Sequence, residues 1–275
     1  MIDLLTLKDI NEKKPIKHFL LSKFSKSIFT EEKEKDHIQF RYINIMKKNQ
    51  KIPWNKVNKL LQNSKSDILC ADNISLPDEL EEKKYEPILF KKILCQNAAI
   101  ETLKKANISD TSLKVSLLDF DGSCYEFLKR LVPFSNQIRV ITKNVAVYTS
   151  QAELLMEQFG VSILISDSLS WISPCNVIIA PNKITTHLPI TSKCVVFTGS
   201  KNSVPVKGIV CNSYSLDTPD EYIDLIPNQI DNKSFLGLIM EKYNIEHLKF
   251  SIPNLCLSDG VAYTIDNISR YILRF

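Results

Sequence analysis

Glycine is scarce in this sequence, which contains only 6 glycines among its 275 residues. Turns that bring the backbone close to a phosphate group need glycine, so the chain has few positions where such a turn could form. Apolar runs are short, since none approaches the ~18 residues that a membrane-spanning helix needs, and no signal-peptide pattern is present. These absences predict a cytoplasmic protein without a transmembrane segment.

Charge and cysteine usage exclude two further classes of protein. The 35 basic and 31 acidic residues leave a net charge of +4, which is too small and too scattered to indicate a nucleic-acid-binding protein. The seven cysteines are widely spaced and include no CxxC pair, so they are expected to be buried free thiols in a reducing compartment. No metal site is predicted, because the histidines lack the spacing of metal ligands; they are His18, His37, His187 and His247.

The pattern of the first half predicts a small α/β unit behind a basic segment. The predicted strands and helices lie at 37–46 and 67–71, and at 53–61 and 88–106, respectively. Apolar residues at helical spacing over 15–29, interrupted by lysines, predict an amphipathic helix. Packing on its own domain is favoured for this helix over binding to a membrane or a partner. The charged run at 31–36 is predicted to be a solvated connector.

Strands and helices alternate in the second half of the chain. Short apolar runs predict strands at 115–119, 138–142, 162–165, 176–180, 194–198 and 209–211. Helical patterns lie at 125–131, 148–159, 169–172, 219–226 and 234–243. This alternation implies a parallel sheet with right-handed crossovers, and the nearly all-apolar strands imply that both faces of the sheet are covered.

An acidic turn follows the first of these strands, where the sequence is Asp119-Phe120-Asp121-Gly122-Ser123. Ligands of parallel α/β sheets bind beyond the carboxyl ends of the strands, so this turn is the first candidate for a functional site. The ends of the other strands supply further candidates: Thr142, Lys143, Asn144, Pro181, Asn182, Lys183, His187 and residues 199–201.

The stretch from 114 to about 200 resembles the Rossmann-type nucleotide domains of the shikimate dehydrogenase and glutamyl-tRNA reductase type. The likeness is carried by the segments 138–144, 151–160 and 176–181. It implies NADP as the candidate cofactor, with Lys143 at the 2′-phosphate and the strand that ends at Pro181 under the nicotinamide. The candidate cofactor-binding residues are therefore Asp119, Asp121, Gly122, Ser123, Thr142, Lys143, Asn144 and Pro181.

This resemblance covers about a third of the chain, and the pattern of predicted strands and helices supplies the rest of the expected architecture. The fold class is α/β, with a Rossmann-like parallel sheet in the C-terminal half and a smaller N-terminal α/β domain. The predicted parts are a basic segment at 1–36, a small α/β domain at 37–110, a Rossmann-like domain at 111–215, and C-terminal helices and a tail at 216–275. The sequence carries no signal for an oligomeric state.

The acidic turn departs from this family at the phosphate-binding position. Glycines in the family's first turn let the backbone approach the diphosphate and let helix amides bind it, whereas Asp119 and Phe120 carry side chains that obstruct the approach. Two carboxylates would also repel the phosphates, by about 1–4 kcal/mol per charge pair at short range. Dinucleotide binding at this turn is therefore predicted to be weak or differently posed.

The turn also resembles the first motif of haloacid-dehalogenase-type phosphatases. That resemblance implies that Asp119 is the nucleophile and Asp121 the general acid/base, with Thr142 binding phosphate beside Mg²⁺. A helix begins directly after Ser123, however, and leaves no room for the hairpin that those enzymes insert. Asp167 is the only nearby acid in place of their metal-binding pair. A receiver-type phosphorylation site is disfavoured, because the strand at 176–180 adds an extra element to the sheet.

Neither resemblance is needed to explain the two carboxylates. Asp119 and Asp121 can cap the helix that begins at Cys124, because a carboxylate near a helix N-terminus accepts backbone amides and complements the helix dipole. The main prediction is therefore a small-ligand-binding or regulatory module without catalysis. An NAD(P)-dependent oxidoreductase is the alternative, and the phosphatase comes third. Cys124, Trp54 and Trp171 are predicted to be structural.

Overall fold

The computed structural model describes residues 1–7, 27–47, 51–62, 67–107, 113–243, 252–258 and 260–273. The strands, in chain order, are β1 (Ile2–Leu7), β2 (Ile28–Lys35), β3 (Ile38–Ile45), β4 (Asp67–Cys70), β5 (Lys114–Leu118), β6 (Gln137–Ile141), β7 (Ile163–Ser166), β8 (Val177–Ala180), β9 (Val195–Thr198), β10 (Ile209–Cys211), β11 (Ser213–Ser215), β12 (Leu255–Ser258) and β13 (Val261–Thr264). The α-helices are α1 (Trp54–Leu61), α2 (Asp78–Glu81), α3 (Ile88–Ala106), α4 (Leu128–Leu131), α5 (Val145–Phe159), α6 (Asp220–Ile223), α7 (Asn232–Tyr243) and α8 (Ile265–Ile272). Short 3-10 helices lie at Tyr125–Phe127, Val132–Phe134 and Leu169–Ile172.

The chain forms two compact units, each of which combines two stretches of sequence. The first contains Met1–Pro87 and Thr218–Ile245, and the second contains Ile88–Asp217 and Glu246–Phe275. These limits differ from the predicted domain boundaries after 36, 110 and 215. The difference arises because helix α3 packs on β8 and β9, and because Phe235 of α7 stacks on Phe40 of β3 with ring centres 5.4 Å apart.

The first unit is built on a four-stranded sheet in the order β2-β3-β1-β4. The predicted strands at 37–46 and 67–71 and the predicted helix at 53–61 are confirmed as β3, β4 and α1. Strand β1 was not predicted, because a strand that is buried along its whole length shows no alternation of apolar and polar residues. Its one charged residue, Asp3, is buried and accepts hydrogen bonds of 2.7 and 2.8 Å from Arg41 of β3.

The prediction of a solvated connector at 31–36 is wrong, because most of these residues belong to strand β2. β2 lies at the edge of the sheet with largely exposed side chains, so charged residues remain in water while the backbone pairs with β3. The hairpin turns at Asp36 and His37, whose φ angles of 52° and 63° are both positive, as in the tight turns that join antiparallel strands. The predicted amphipathic helix at 15–29 falls largely outside the described residues.

The second unit contains a six-stranded sheet in which every pairing is parallel. Its strand order is β7-β6-β5-β8-β9-β10. Counted from β5 in chain order, this arrangement is 3-2-1-4-5-6, the order of the dinucleotide-binding fold. The central strand is fully enclosed, since buried Leu117 pairs with Val140 on one side and with Ile179 on the other. The predicted Rossmann-like parallel sheet and fold class are confirmed.

The connecting helices differ more from the predictions than the strands do. The segment predicted as one helix at 125–131 is a 3-10 turn followed by the single turn α4, and Pro133 lies in the 3-10 turn that follows. Helix α5 begins at Val145, before the predicted residue 148, and ends at Gly160 in the left-handed conformation. Strands β11 to β13 form a separate antiparallel sheet that was not predicted.

Helix α8, also not predicted, packs along α3. Its hydroxyl cap at Thr264 accepts a hydrogen bond from the Asn267 amide at 3.1 Å. None of the helices in the described part of the chain combines the length and apolar character needed to cross a bilayer.

Candidate functional site

The carboxyl ends of β5, β6 and β8 meet at one edge of the parallel sheet. Two backbone hydrogen bonds join the acidic turn to the end of β6: Asp119 N–H donates to Ile141 at 3.0 Å, and Lys143 N–H donates to Phe120 at 3.2 Å. The edge continues to β9, because a methyl group added at Gly199 would lie only 2.2 Å from the Pro181 carbonyl oxygen. The fold therefore brings together the strand-end segments that the sequence singles out.

Asp119 is fully buried at the centre of this edge. Its Oδ2 accepts hydrogen bonds from Tyr148 Oη at 2.7 Å and from the Cys124 backbone N–H at 2.8 Å. Its Oδ1 accepts a hydrogen bond from Asn182 Nδ2 at 3.2 Å. Both carboxylate oxygens are thus occupied by groups of the protein itself.

Asp121 is exposed and completes the capping of the turn. Its Oδ1 accepts hydrogen bonds from the Ser123 N–H at 3.0 Å and from Asn182 Nδ2 at 3.2 Å. The Asn182 amide therefore bridges the two carboxylates. On the other side, Lys92 Nζ lies 4.0 Å from Asp121 Oδ2 and donates to Ser123 Oγ at 3.1 Å.

Gly122 is required by the shape of this turn. Its φ of +76° is in the left-handed region, and a Cβ atom at this position would lie 2.9 Å from Asn144 Cβ. A side chain would therefore be strained by the backbone and also by the turn that follows β6. The glycine therefore allows Asn144 to pack closely against the turn, and the space without a Cβ atom is filled by Asn144 and is not open to a ligand.

The pKa values of the two carboxylates are shifted in opposite directions. Burial raises the pKa of Asp119, although its bonds to Cys124 and Tyr148 act in the opposite direction. Burial would also raise the pKa of Asp121, but hydrogen bonding to Asp119 and the Ser123 amide, together with the charge of Lys92, lowers it well below its usual value. A proton added to the pair would therefore bind at Asp119 first.

Cys124 is buried at the start of the helical segment. Burial, together with the nearby Asp119 charge, raises the pKa of its thiol to about 11. The thiol is therefore protonated at neutral pH and is a poor nucleophile, in agreement with the structural role predicted for it. The seven cysteines are all free, and only Cys70 is not fully buried.

The turn does not fit a diphosphate in the position that the Rossmann fold normally gives it. The amides that would face the phosphates there are those of Ser123 and Cys124. Both already donate to the carboxylates of Asp121 and Asp119. A diphosphate at the turn would have to displace these carboxylates from their own hydrogen bonds.

The end of β6 is more open than the acidic turn. Thr142 is buried, and its Oγ1 accepts the Asn144 N–H at 3.0 Å, so it is a structural residue of the turn. Lys143 and Asn144 are exposed. The Lys143 Nζ lies 6.0 Å from the centre of the Phe120 ring, which holds the ammonium group above the acidic turn.

Two residues that the sequence did not single out, Lys92 and Tyr148, complete this cluster together with Asn182, which belongs to the predicted strand-end segment 181–183. Tyr148 is an ordinary aromatic position of a predicted helix, and nothing in its spacing indicates its bond to Asp119. Asn182 directly follows Pro181 at a strand end, which was the one available signal. Lys92 comes from a helix that precedes the sheet, so its proximity depends on the tertiary fold.

Other sequence candidates stand apart from these contacts. Lys183 and His187 are exposed in the loop that follows β8, and Asp167 is exposed after β7. Trp54 packs on the apolar core of the first unit, as predicted, whereas Trp171 is 45% exposed and its predicted packing role is not supported. Within the described ranges, no three His, Cys, Asp or Glu side chains come together as they would around a metal ion.

Comparison with known proteins gives only distant structural likenesses. No family profile and no curated protein matches the sequence. The crystal structure of L-tryptophan dehydrogenase from Nostoc punctiforme is 11% identical with a TM-score of 0.35, covering 99% of this chain and 79% of that one. A shikimate dehydrogenase in complex with NADP+ is 13% identical with a TM-score of 0.31, covering 99% of this chain and 94% of that one. Likenesses at this level carry no argument, so the fold assignment rests on the strand pairing alone.

Proposed function

We propose that the second unit binds a nucleotide along the carboxyl edge of its parallel sheet. The observation that carries this proposal is the 3-2-1-4-5-6 strand order, which creates a crevice between β5 and β8. Open α/β sheets bind their ligands at such a switch point. Asp121 and Asn182 line this edge, and Lys143 and Asn144 follow the neighbouring strand.

NADP(H) is the first nucleotide to test. Lys143 is an exposed cation at the end of β6, the strand whose end meets the adenosine ribose in this fold, and a cation there favours a 2′-phosphate. The contacts of the acidic turn support a pose in which the diphosphate lies away from the Ser123 and Cys124 amides. The proposal therefore includes weaker binding than a glycine-rich turn would give.

Two functions are compatible with such a site, and different observations favour each. The strand order favours an NAD(P)-dependent oxidoreductase, because this order is the one that binds dinucleotides. The occupied amides of the acidic turn favour a binding or regulatory module without catalysis. The phosphatase hypothesis gains no support, because buried Asp119 has no carboxylate oxygen free to attack phosphorus.

Fluorescence titration with NADPH and NADH tests the nucleotide proposal. We expect NADPH to bind at least tenfold more tightly than NADH, which corresponds to about 1.4 kcal/mol. Lys143→Glu should abolish this preference. Lys207→Glu is the matched control, since Lys207 is an exposed lysine just before β10, at the amino ends of the strands, and it should retain the preference. Absence of saturable binding, or equal affinities for the two nucleotides in the wild type, would contradict the proposal.

Consumption of NADPH separates the two functions. The protein is incubated with NADPH and a panel of small ketones and 2-oxo acids, and absorbance at 340 nm is followed. Turnover that is lost in Lys143→Glu and retained in Lys207→Glu supports the oxidoreductase. Saturable NADPH binding without turnover on any member of the panel supports the binding module.

A further inference from the structure

A cavity of about 360 Å³ lies in the second unit between helix α3 and the segment after the acidic turn. Leu89, Ile93 and Gln96 line it from α3, where their spacing of three and four residues places them on one face of the helix. Phe127 lines the opposite wall. At the ~30 Å³ that a water molecule takes in the liquid, the volume corresponds to roughly a dozen non-hydrogen atoms.

Arg130 supplies one of two positive charges at this cavity. Its guanidinium donates to Asn97 Oδ1 at 2.7 Å and lies 5.3 Å from the centre of the Phe127 ring. Among the ion pairs of the described residues, none involves Arg130. Burial of part of the side chain lowers its pKa, against the opposing effect of the Glu101 charge, while the residue as a whole remains exposed to water.

Lys92 supplies the second positive charge. Its side chain is only 18% exposed, and its ammonium donates to Ser123 Oγ at the edge of the cavity. Asp121 neutralises it partly across 4.0 Å. Glu126 also lines the cavity, and one of its oxygens accepts a hydrogen bond from Tyr125 Oη at 3.2 Å. The lining therefore contains two cations and one acid, and Asp121 beside Lys92 adds a second acid, so that Arg130 is the cation without an ion pair among the described residues.

The apolar part of the lining is incompletely covered by the protein. Leu89 is 52% exposed, although it lies beside Ile93 and faces a wall that includes Phe127. A ligand with an apolar body would remove this surface from water, at about 25 cal/mol per Å². Small-molecule sites commonly combine such apolar walls with a few polar groups that orient the ligand.

We propose that this cavity binds a small organic acid whose carboxylate lies between Lys92 and Arg130. The apolar body of the acid packs on Leu89, Ile93 and Phe127. A carboxylate supplies the counter-charge that Arg130 lacks, and charge-assisted hydrogen bonds to it are stronger than neutral ones. This site adjoins the acidic turn, since Ser123 and Cys124 also line it, but it lies on the α3 side of that turn and requires no nucleotide for occupancy.

An NMR titration of the full chain with sodium benzoate tests this proposal. We expect saturable shifts centred on the backbone amides of Ile93, Gln96 and Phe127. Benzyl alcohol has the same apolar ring without the charge, and inorganic phosphate has charge without the ring. Both should bind at least tenfold more weakly than benzoate. Equal affinity of either probe, or no saturable shift with benzoate, would overturn the proposal.

Two substitutions test the roles of the cations. Lys92→Met and Arg130→Met should each weaken benzoate binding at least tenfold, whereas Lys104→Met, at the far end of α3, should leave it unchanged. Arg130→Lys keeps the charge and should retain part of the affinity if loss of the Asn97 bond unfolds Arg130→Met. Benzoate affinity that is unchanged in folded Lys92→Met and in folded Arg130→Met would overturn the assignment, and so would full affinity in Arg130→Lys if Arg130→Met does not fold. Lys143→Glu should not alter benzoate binding, which separates this proposal from the nucleotide proposal.

Discussion

Replacement of Tyr148 by phenylalanine tests the hydrogen bonding that holds the acidic turn closed. The hydroxyl of Tyr148 is buried and donates to Asp119 Oδ2 at 2.7 Å. A hydrogen bond to a charged group contributes ~1.5–3 kcal/mol to stability. We therefore expect Tyr148→Phe to lower the free energy of unfolding of the second unit by about 2 kcal/mol at pH 7.

The unfolding free energy that Tyr148→Phe loses should depend on pH, in a direction set by the raised pKa of Asp119. Burial raises the pKa of Asp119 in the folded state, so the stability associated with its proton is present at low pH and is lost as pH rises through the folded pKa. The Tyr148 bond opposes that loss because it favours the ionised carboxylate. Tyr148→Phe should therefore cost less at pH 4 than at pH 7.5, since a bond to the neutral acid is weaker.

Urea denaturation in a Trp54→Phe background provides the assay. Trp171 is then the remaining tryptophan, and its fluorescence reports on the second unit. Tyr125→Phe is the control, because this tyrosine is exposed and bonds to exposed Glu126; its cost should stay within about 0.5 kcal/mol. Equal losses in the two variants, or a larger Tyr148→Phe loss at pH 4 than at pH 7.5, would refute the reasoning.

Three further substitutions or treatments have defined outcomes. Gly122→Ala should lower the unfolding free energy by ~1–3 kcal/mol because of its positive φ and contact with Asn144; a cost no greater than that of Gly160→Ala, which has positive φ but no close neighbour, would contradict this. Asp3→Asn should cost ~3–5 kcal/mol in urea denaturation of the first unit, because it leaves Arg41 without its buried partner; a cost near zero would show that the pair contributes nothing. A thiol reagent should label Cys70 first in the native protein, and rapid labelling of several cysteines would contradict their burial.

The sequence was sufficient for the parallel sheet because its strands are buried on both faces. Val177–Ala180 and Val195–Thr198 are entirely buried, so each appears as a continuous apolar run between polar segments. Strand β2 shows the converse. It is held by pairing with β3 while its charged side chains remain in water, and such an edge strand has no apolar signature.

The candidate site was predictable in position but not in its contacts. Asp119, Thr142 and Pro181 were expected near one another because the carboxyl ends of parallel strands share an edge. The binding of backbone amides by Asp119 and Asp121 was also expected from their place before a helical segment, although the amides bound are those of Ser123 and Cys124, ahead of the 3-10 helix Tyr125–Phe127. The bonds from Tyr148 and Asn182 could not be predicted, because they depend on how helix α5 and the loop after β8 pack against the turn.

The most direct test of the account is an amide NMR titration with NADPH. The Ser123 and Cys124 amides donate to Asp121 and Asp119, so they should not bind the diphosphate. We expect saturable shifts of the Lys143 and Asn144 amide resonances, with the Ser123 and Cys124 amide resonances almost unchanged. The largest shifts at Ser123 and Cys124 would contradict it, because they would place the phosphates on the turn itself.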